Sequence, residues 1–205
     1  MQLKEAITEL RKLEKKKFDQ SIDLVVNLKG IDVKKDNIAT IISIPHKIKD
    51  KKVFGFLTKK SGLVNSVTQP EFQKYKDKKA LKELVKSHDF FIAAAPLMPS
   101  VATTFGKALG PTGKMPSPQL GVLMKEDDVA IKQLIEKINL SIKVRVKEAS
   151  VKVSIGKQSM PDNQILENAE AFYQGLVNAL PTKKENIKSV MLKLTMSSPV
   201  RVEMK

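Results

Sequence analysis

Strand-like alternation near both ends of the chain encloses a middle stretch with a different rhythm, and that arrangement is the strongest constraint on the fold. In Ser21–Leu28, Ile22, Leu24, Val26 and Leu28 occupy every second position, a period that puts them on one face of a strand. Ile38 to Ile44 is a second β-rich run, closed by Pro45. The pattern returns after Ser141, where Ile142, Val144 and Val146 share one phase and Val151, Val153 and Ile155 continue it. Val190–Leu194 and Val200–Val202 close the chain. Two helices accompany these strands. One covers 2–17, with Leu3, Ile7 and Leu10 at helical spacing. The other opens at Pro161, with Ser159 or Asp162 as its cap and Ile165, Leu166, Ala169, Phe172 and Leu176 on its apolar side.

The middle reads differently. Val53–Leu57 and Leu63–Val67 are short apolar runs, and a helical segment extends from Pro70 to about Lys86. Asp89–Ala95 is almost continuously apolar, as a strand buried on both faces of a parallel sheet would be. Helical segments follow at about 98–109 and 127–139. Strands alternating with helices predict an α/β unit. The expected fold class is an α+β first domain built from both chain ends, residues 1–48 and 142–205. A Rossmann-like, three-layer α/β domain, 49–141, is inserted between linkers near 46–52 and 140–147.

Charge narrows the function. The formal net charge is +15 and the sequence pI about 9.8, the footprint of a polyanionic partner, usually nucleic acid. Lysine carries this excess. Only Arg11, Arg145 and Arg201 are arginines, which disfavours bidentate base readout in a DNA groove. Eight Phe and two Tyr are few for a single-strand stacking platform. With no cysteine, disulfide scaffolds, thiol catalysis and Cys-zinc sites are excluded. The longest apolar runs are far shorter than a membrane span, and the N-terminus has no signal-peptide core. A soluble, cytoplasmic protein is expected.

Few residues suggest catalysis. In Gly106-Lys107-Ala108-Leu109-Gly110-Pro111-Thr112-Gly113-Lys114-Met115-Pro116, the pair Gly113-Lys114 hints at a phosphate loop. That motif wants Gly at 108 and Ser or Thr at 115, where Ala108 and Met115 stand. The stretch reads instead as a rigid loop of glycines and prolines with a surface lysine pair, Lys107 and Lys114. A functional version of the same loop lets its N–H groups and lysines meet RNA phosphate. Glu126-Asp127-Asp128 precedes a helix, where carboxylates cap free N–H groups. His46 and His88 have no visible catalytic partner. Phe18, beside Lys17 and Ser21, is either a core residue or an aromatic placed to pack on a nucleotide. Thr195-Met196-Ser197-Ser198-Pro199 is a turn, or a segment allowing close approach to sugar or phosphate.

Taken in order, these segments resemble the family of the universal large-subunit ribosomal stalk protein, L-one, in its archaeal form. Gly106 to Pro116 looks like the family signature. His88-Asp89-Phe90-Phe91-Ile92-Ala93, Leu97-Met98-Pro99, Phe18-Asp19-Gln20-Ser21, Leu28-Lys29-Gly30-Ile31-Asp32, Pro45-His46 and Lys193-Leu194-Thr195-Met196 look like further family motifs. The resemblance implies a non-enzymatic protein without cofactor or metal, monomeric off the ribosome. Its end-built domain would hold structured large-subunit ribosomal RNA near exit-site transfer RNA and aid transfer-RNA release. It would also repress translation by binding a similar motif in its own messenger RNA. Carried over by motif, the RNA contacts are Lys17, Phe18, Gln20, Ser21, Gly156, Lys157, Lys193, Thr195, Met196 and Ser197. Where the family reads Thr-Met-Gly-Pro, this chain has Thr195-Met196-Ser197-Ser198, so a side chain stands where glycine would permit positive φ and close RNA approach. Two competing readings are a general double-stranded nucleic-acid binder, indifferent to sequence, and a nucleotide-dependent α/β enzyme, which would bind ATP or NAD saturably.

Overall fold

A computed structural model describes residues 1–12, 17–32, 38–75, 77–146 and 148–204. In chain order its elements are α1 (Leu3–Lys12), β1 (Ser21–Leu28), β2 (Ala39–Ser43), β3 (Val53–Phe56), β4 (Asn65–Val67), α2 (Lys78–Ser87), β5 (Phe90–Ala94), α3 (Met98–Thr112), β6 (Val122–Leu123), α4 (Asp128–Asn139), β7 (Ser141–Arg145), β8 (Ser150–Lys157), α5 (Asp162–Ala179), β9 (Ile187–Leu194) and β10 (Val200–Val202). Contacts divide the chain into two compact units, Met1–Ile48 with Leu140–Lys205, and Lys49–Asn139. Residues 13–16, which include Lys15 and Lys16 of the expected first helix and its basic end, lie outside the described residues. So do Asp36 and Asn37, a pair whose turn propensity marks the connection between the first two strand-like runs, Lys76 in the expected 70–86 helix, and Lys147 in the expected second linker.

In the unit built from both ends, β10, β9, β1 and β8 form an antiparallel sheet in that order. Alternation in β1 buries Ile22, Leu24, Val26 and Leu28 and leaves the residues between them partly exposed. Buried residues of α1 (Leu3, Ala6, Ile7, Leu10) and α5 (Ile165, Ala169, Phe172, Leu176) share one core with that face. One face of the sheet is therefore covered and the other is open to solvent. A β2–β7 ribbon joins the same core through Ile42 and Val144. Gly175 of α5 is required there, because a Cβ would lie 2.6 Å from Ile42 Cγ2. Within the ribbon Ser43 pairs with Ser141, and Ile44 N–H donates to Leu140 O at 2.7 Å. The chain thus leaves and re-enters this unit at neighbouring points. Asn168, fully buried, fastens the exit: its Nδ2 donates to His46 O and Ile155 O, and its Oδ1 accepts His46 N–H.

The unit Lys49–Asn139 is a parallel sheet in the order β4-β3-β5-β6. Phe91 and Ala93 of β5 join a core with Phe54, Phe56, Phe72, Phe105 and Leu109, while Ile92, pointing the other way, is also fully buried. Burial on both faces explains the continuous apolar run. Phe105 sits 4.7 Å from Phe56 and 5.1 Å from Phe72, centroid to centroid, an aromatic cluster that ties α3 to the sheet.

Four local expectations are corrected. The stretch Gly106–Pro116 is not a loop from end to end, since α3 runs through Thr112. Burial of Val101, Phe105 and Leu109 at four-residue spacing carries the helix past Gly106. Pro111 falls in the last turn, and Gly113 (φ 70°) ends it. Gly113 N–H donates to Gly110 O and Lys114 N–H to Leu109 O, the two bonds of a Schellman closure. Lys114 is not a surface cation aimed outward. Its Nζ donates to Val85 O and His88 O, both at 2.7 Å, satisfying carbonyls at the end of α2. Neither Ser159 nor Asp162 caps α5. Pro161 opens that helix without a side-chain cap, Ser159 bonds to Asp19, and Asp162 bonds to Arg11. Glu126 likewise reaches away from the helix it precedes, accepting Thr58 and Lys59 N–H.

Candidate nucleic-acid interface

Because β1 lies between β8 and β9 and runs antiparallel to both, its first residue meets the ends of both neighbours. Ser21 pairs with Lys157 of β8, and Ile22 with Leu194 of β9. Of the ten residues expected to contact RNA, Ser21, Gly156, Lys157 and Lys193 lie in these paired strands, and Lys17, Phe18, Gln20, Thr195, Met196 and Ser197 in the segments just outside their ends. The backbone locks there. Thr195 N–H donates to Ser21 O, Ser21 N–H donates to Thr195 Oγ1, and Gln158 N–H donates to Gln20 O, at 2.8–3.1 Å. Gln20 Oε1 accepts Met196 N–H at 3.1 Å. Asp19 accepts both the N–H and the hydroxyl of Ser159 and lies 4.0 Å from Lys157 Nζ.

On this hydrogen-bonded base, two large apolar side chains face water: Phe18 is 52% exposed and Met196 is 69% exposed. The other seven of the eight phenylalanines are buried, which decides the sequence alternatives for Phe18 against a core role. Full burial would contribute about 1.5–3 kcal/mol each, and half or more of that is forfeited by their exposure, so folding does not account for their position. Lys17 and Thr195 are exposed beside them, and Lys157 and Lys193 partly so.

The remaining candidates hold the site from beneath. Gln20 is 2% exposed and braces Met196 instead of facing outward. Gly156 is buried, and a Cβ there would lie 3.1 Å from Ile165 Cγ1, so its bare backbone admits α5 and not a ligand. Ser21 is half-buried in the ladder. Ser197 closes the β9–β10 turn: its Oγ accepts Leu194 N–H at 2.9 Å and its hydroxyl lies 3.1 Å from Ser198 O. Among the described residues Lys183 is the non-glycine with positive φ, so Ser197 makes its turn without the backbone that a glycine would supply. The signature residues Gly106, Lys107, Gly110, Pro111, Gly113, Lys114, Met115 and Pro116 all belong to the other unit.

The open face of the sheet sets residues that sequence reasoning missed beside the expected Lys193. Strand register aligns Arg201, Met191, Val25 and Lys152 in one row and Lys193, Asp23 and Ser154 in the next. The signal was present in the odd positions of β1, but their neighbours depended on register across more than 100 residues of chain. Asp23 is the one acid in these rows. Burial raises its pKa above 3.8, against the opposing influence of Lys193 and a hydrogen bond from Ser154. The surface as a whole offers lysines for phosphate, a hydroxyl, and a Phe–Met pair for sugar or base. Among the described residues no group of three or more His, Asp or Glu could hold a metal, and no helix is long and apolar enough to cross a membrane.

The family model described as "Ribosomal protein L1p/L10e family" matches residues 10–198. The chain is 36% identical to the large ribosomal subunit protein uL1 of Thermofilum pendens, covering 98% of this chain and 92% of that one. It is 34% identical to uL1 of Nanoarchaeum equitans, covering 96% and 97%. With uL1 of Thermococcus kodakarensis the identity is 32%, covering 98% and 96%. A basic surface at one end of an antiparallel sheet, a parallel-sheet unit between the chain's ends, and a match along nearly its whole length agree: the chain belongs to the ribosomal protein L1 family, structural proteins of the large ribosomal subunit and not enzymes.

Proposed function

We propose that the unit built from both ends is an RNA-binding domain that clamps a folded segment of large-subunit ribosomal RNA against the β1/β8/β9 end of its sheet. Family membership ties the chain to the ribosome and its RNA. The observation that carries the residue-level reading is the exposure of Phe18 and Met196 beside the hydrogen bonds that join Gln20 and Ser21 to Thr195 and Met196. Phe18 and Met196 pack on ribose or an unstacked base, Thr195 hydrogen-bonds, and Lys17, Lys157 and Lys193 meet phosphates. Shape and 2′-hydroxyl contacts dominate. Lys49–Asn139 is an inserted α/β domain that folds by itself on two linkers. Its motion lets the protein accompany deacylated transfer RNA leaving the exit site. The same RNA surface binds a similar fold in the protein's own messenger RNA and represses its translation.

Affinity for a folded ribosomal stalk RNA fragment, against a scrambled RNA of equal length, at two salt concentrations, tests this reading. Each neutralised phosphate lowers log K by about 0.7–0.9 per log unit of salt, so a preference that survives the higher salt supports shape-specific clamping. Equal binding of both RNAs that collapses with salt contradicts it and leaves a general polyanion binder. Replacing 49–139 by a short linker tests the domain reading. Ile44 and Leu140 are hydrogen-bonded neighbours, so the shortened chain is expected to fold and keep its RNA affinity.

A further inference from the structure

The signature segment contributes nothing to the RNA surface, yet it builds one wall of a groove. α2 and α3 face each other across a cavity of about 740 Å³ on the inserted unit. Its floor is apolar. Leu81 and Val85 come from α2, one turn apart, and Ala108 and Pro111 from α3. Lysines alternate with these rows: Lys82 and Lys86 on the α2 wall, Lys107 on the α3 wall. All three are exposed, and none is ion-paired with a described residue. Among the described residues no acidic one lines the groove. From these observations we infer that the α2–α3 groove is a protein-docking site for an acidic amphipathic helix, one that lays an apolar stripe on Leu81, Val85, Ala108 and Pro111 and sets carboxylates on both flanks against Lys82, Lys86 and Lys107.

Charge complementarity fixes the sign of the partner, and the floor fixes its class. Two helices presenting apolar residues at i, i+3 and i+4 spacing accept a third helix by the same ridge-and-groove packing that joins them. A nucleic acid fits poorly. Among the described residues no aromatic side chain lines the groove for a base to stack on. Lys114, at its end, already gives its ammonium protons to Val85 O and His88 O. Lys82, Lys86 and Lys107 therefore select carboxylates carried on an apolar scaffold, and this site operates independently of the RNA surface on the other unit.

The test uses the full chain and a fluorescein-labelled synthetic peptide of about 18 residues, about five helical turns. Leucines form a stripe at i, i+3, i+4 and i+7, and glutamates flank it. Expected are saturable binding and NMR shifts centred on Leu81, Val85 and Ala108. Lys86→Glu with Lys107→Glu weakens binding at least tenfold, whereas Lys183→Glu with Lys184→Glu, exposed on the other unit, changes it less than twofold. A peptide with serine replacing every leucine binds at least tenfold more weakly. Because all four lysines are exposed, these variants keep the melting temperature, which is measured alongside. Binding that ignores the Lys86 and Lys107 reversals overturns the proposal. So does equal binding of the serine peptide, which would leave general attraction to a basic protein. A single-stranded RNA oligonucleotide that displaces the peptide and itself depends on Lys86 and Lys107 would reassign the groove to nucleic acid.

Discussion

The buried Gln20 side chain accepts the backbone N–H of Met196 at 3.1 Å, across 176 residues of chain. It links the segment entering β1 to the turn leaving β9, and so holds the two exposed apolar side chains, Phe18 and Met196, over one sheet end. Gln20→Ala removes the acceptor and leaves a cavity. The expected cost is about 1–3 kcal/mol in denaturant unfolding, together with weaker RNA binding. Loss of affinity at full stability would mean instead that Gln20 touches RNA.

Asp23 opposes the charge of its surroundings. Burial raises its pKa above 3.8, so the folded state binds its proton more tightly than the unfolded state. Its ionised form therefore costs stability, a cost absent below pH 3.8 and complete once pH has risen through the folded pKa. Asp23→Asn is expected to raise the melting temperature at pH 7 and to lose that advantage as pH falls below 3.8. Without the negative charge, RNA should bind up to about fivefold more tightly, the range of a partly exposed charge. Thermal unfolding from pH 3 to 7 checks the sign.

In the inserted unit Lys51 shows the reverse case. Burial, with Lys49 adding to it and Asp89 opposing, lowers its pKa to about 8, while its Nζ donates to Ile138 O at 2.6 Å. Between pH 8 and about 10.4 the unfolded chain keeps this proton and the folded chain does not, so stability rises with pH across that window. Against Lys51→Met, wild type is expected to gain stability from pH 8 to pH 10. Parallel pH profiles for the two proteins would show that Lys51 titrates normally.

Two glycines of α3 and its cap make opposite demands. Gly106 sits in mid-helix, and nothing lies within 4 Å of the point where a Cβ would stand. Gly106→Ala is expected to stabilise by about 0.5–1 kcal/mol. Gly113 holds φ at 70°, where an L side chain costs about 1–2 kcal/mol, so Gly113→Ala is expected to destabilise by that amount. Chemical denaturation of both variants separates helix propensity from the backbone requirement.

The strands were legible wherever one face is covered, because burial in β1 and β9 repeats every second residue as their sequences do. The parallel strand β5 was legible for the opposite reason, being apolar throughout. The end of α3 was not legible. Three glycines and two prolines signal a loop, and only packing of Phe105 and Leu109 against the sheet keeps those residues helical. In the candidate site the motif named the right neighbourhood, and strand register brought it together. Sequence alone did not separate Phe18, which faces water, from Gln20, which does not. That division rests on a hydrogen bond to a residue at the far end of the chain.

In the proposed interface Phe18 and Met196 serve RNA binding and not the stability of the fold. The most direct measurement is the affinity of Phe18→Ser and Met196→Ser for the folded ribosomal RNA fragment, with each melting temperature taken on the same sample. Both side chains are more than half exposed, so melting temperatures are expected to stay within about 2 °C of wild type while affinity falls at least tenfold, about 1.4 kcal/mol. Unchanged affinity, or affinity and stability falling together, would contradict the assignment.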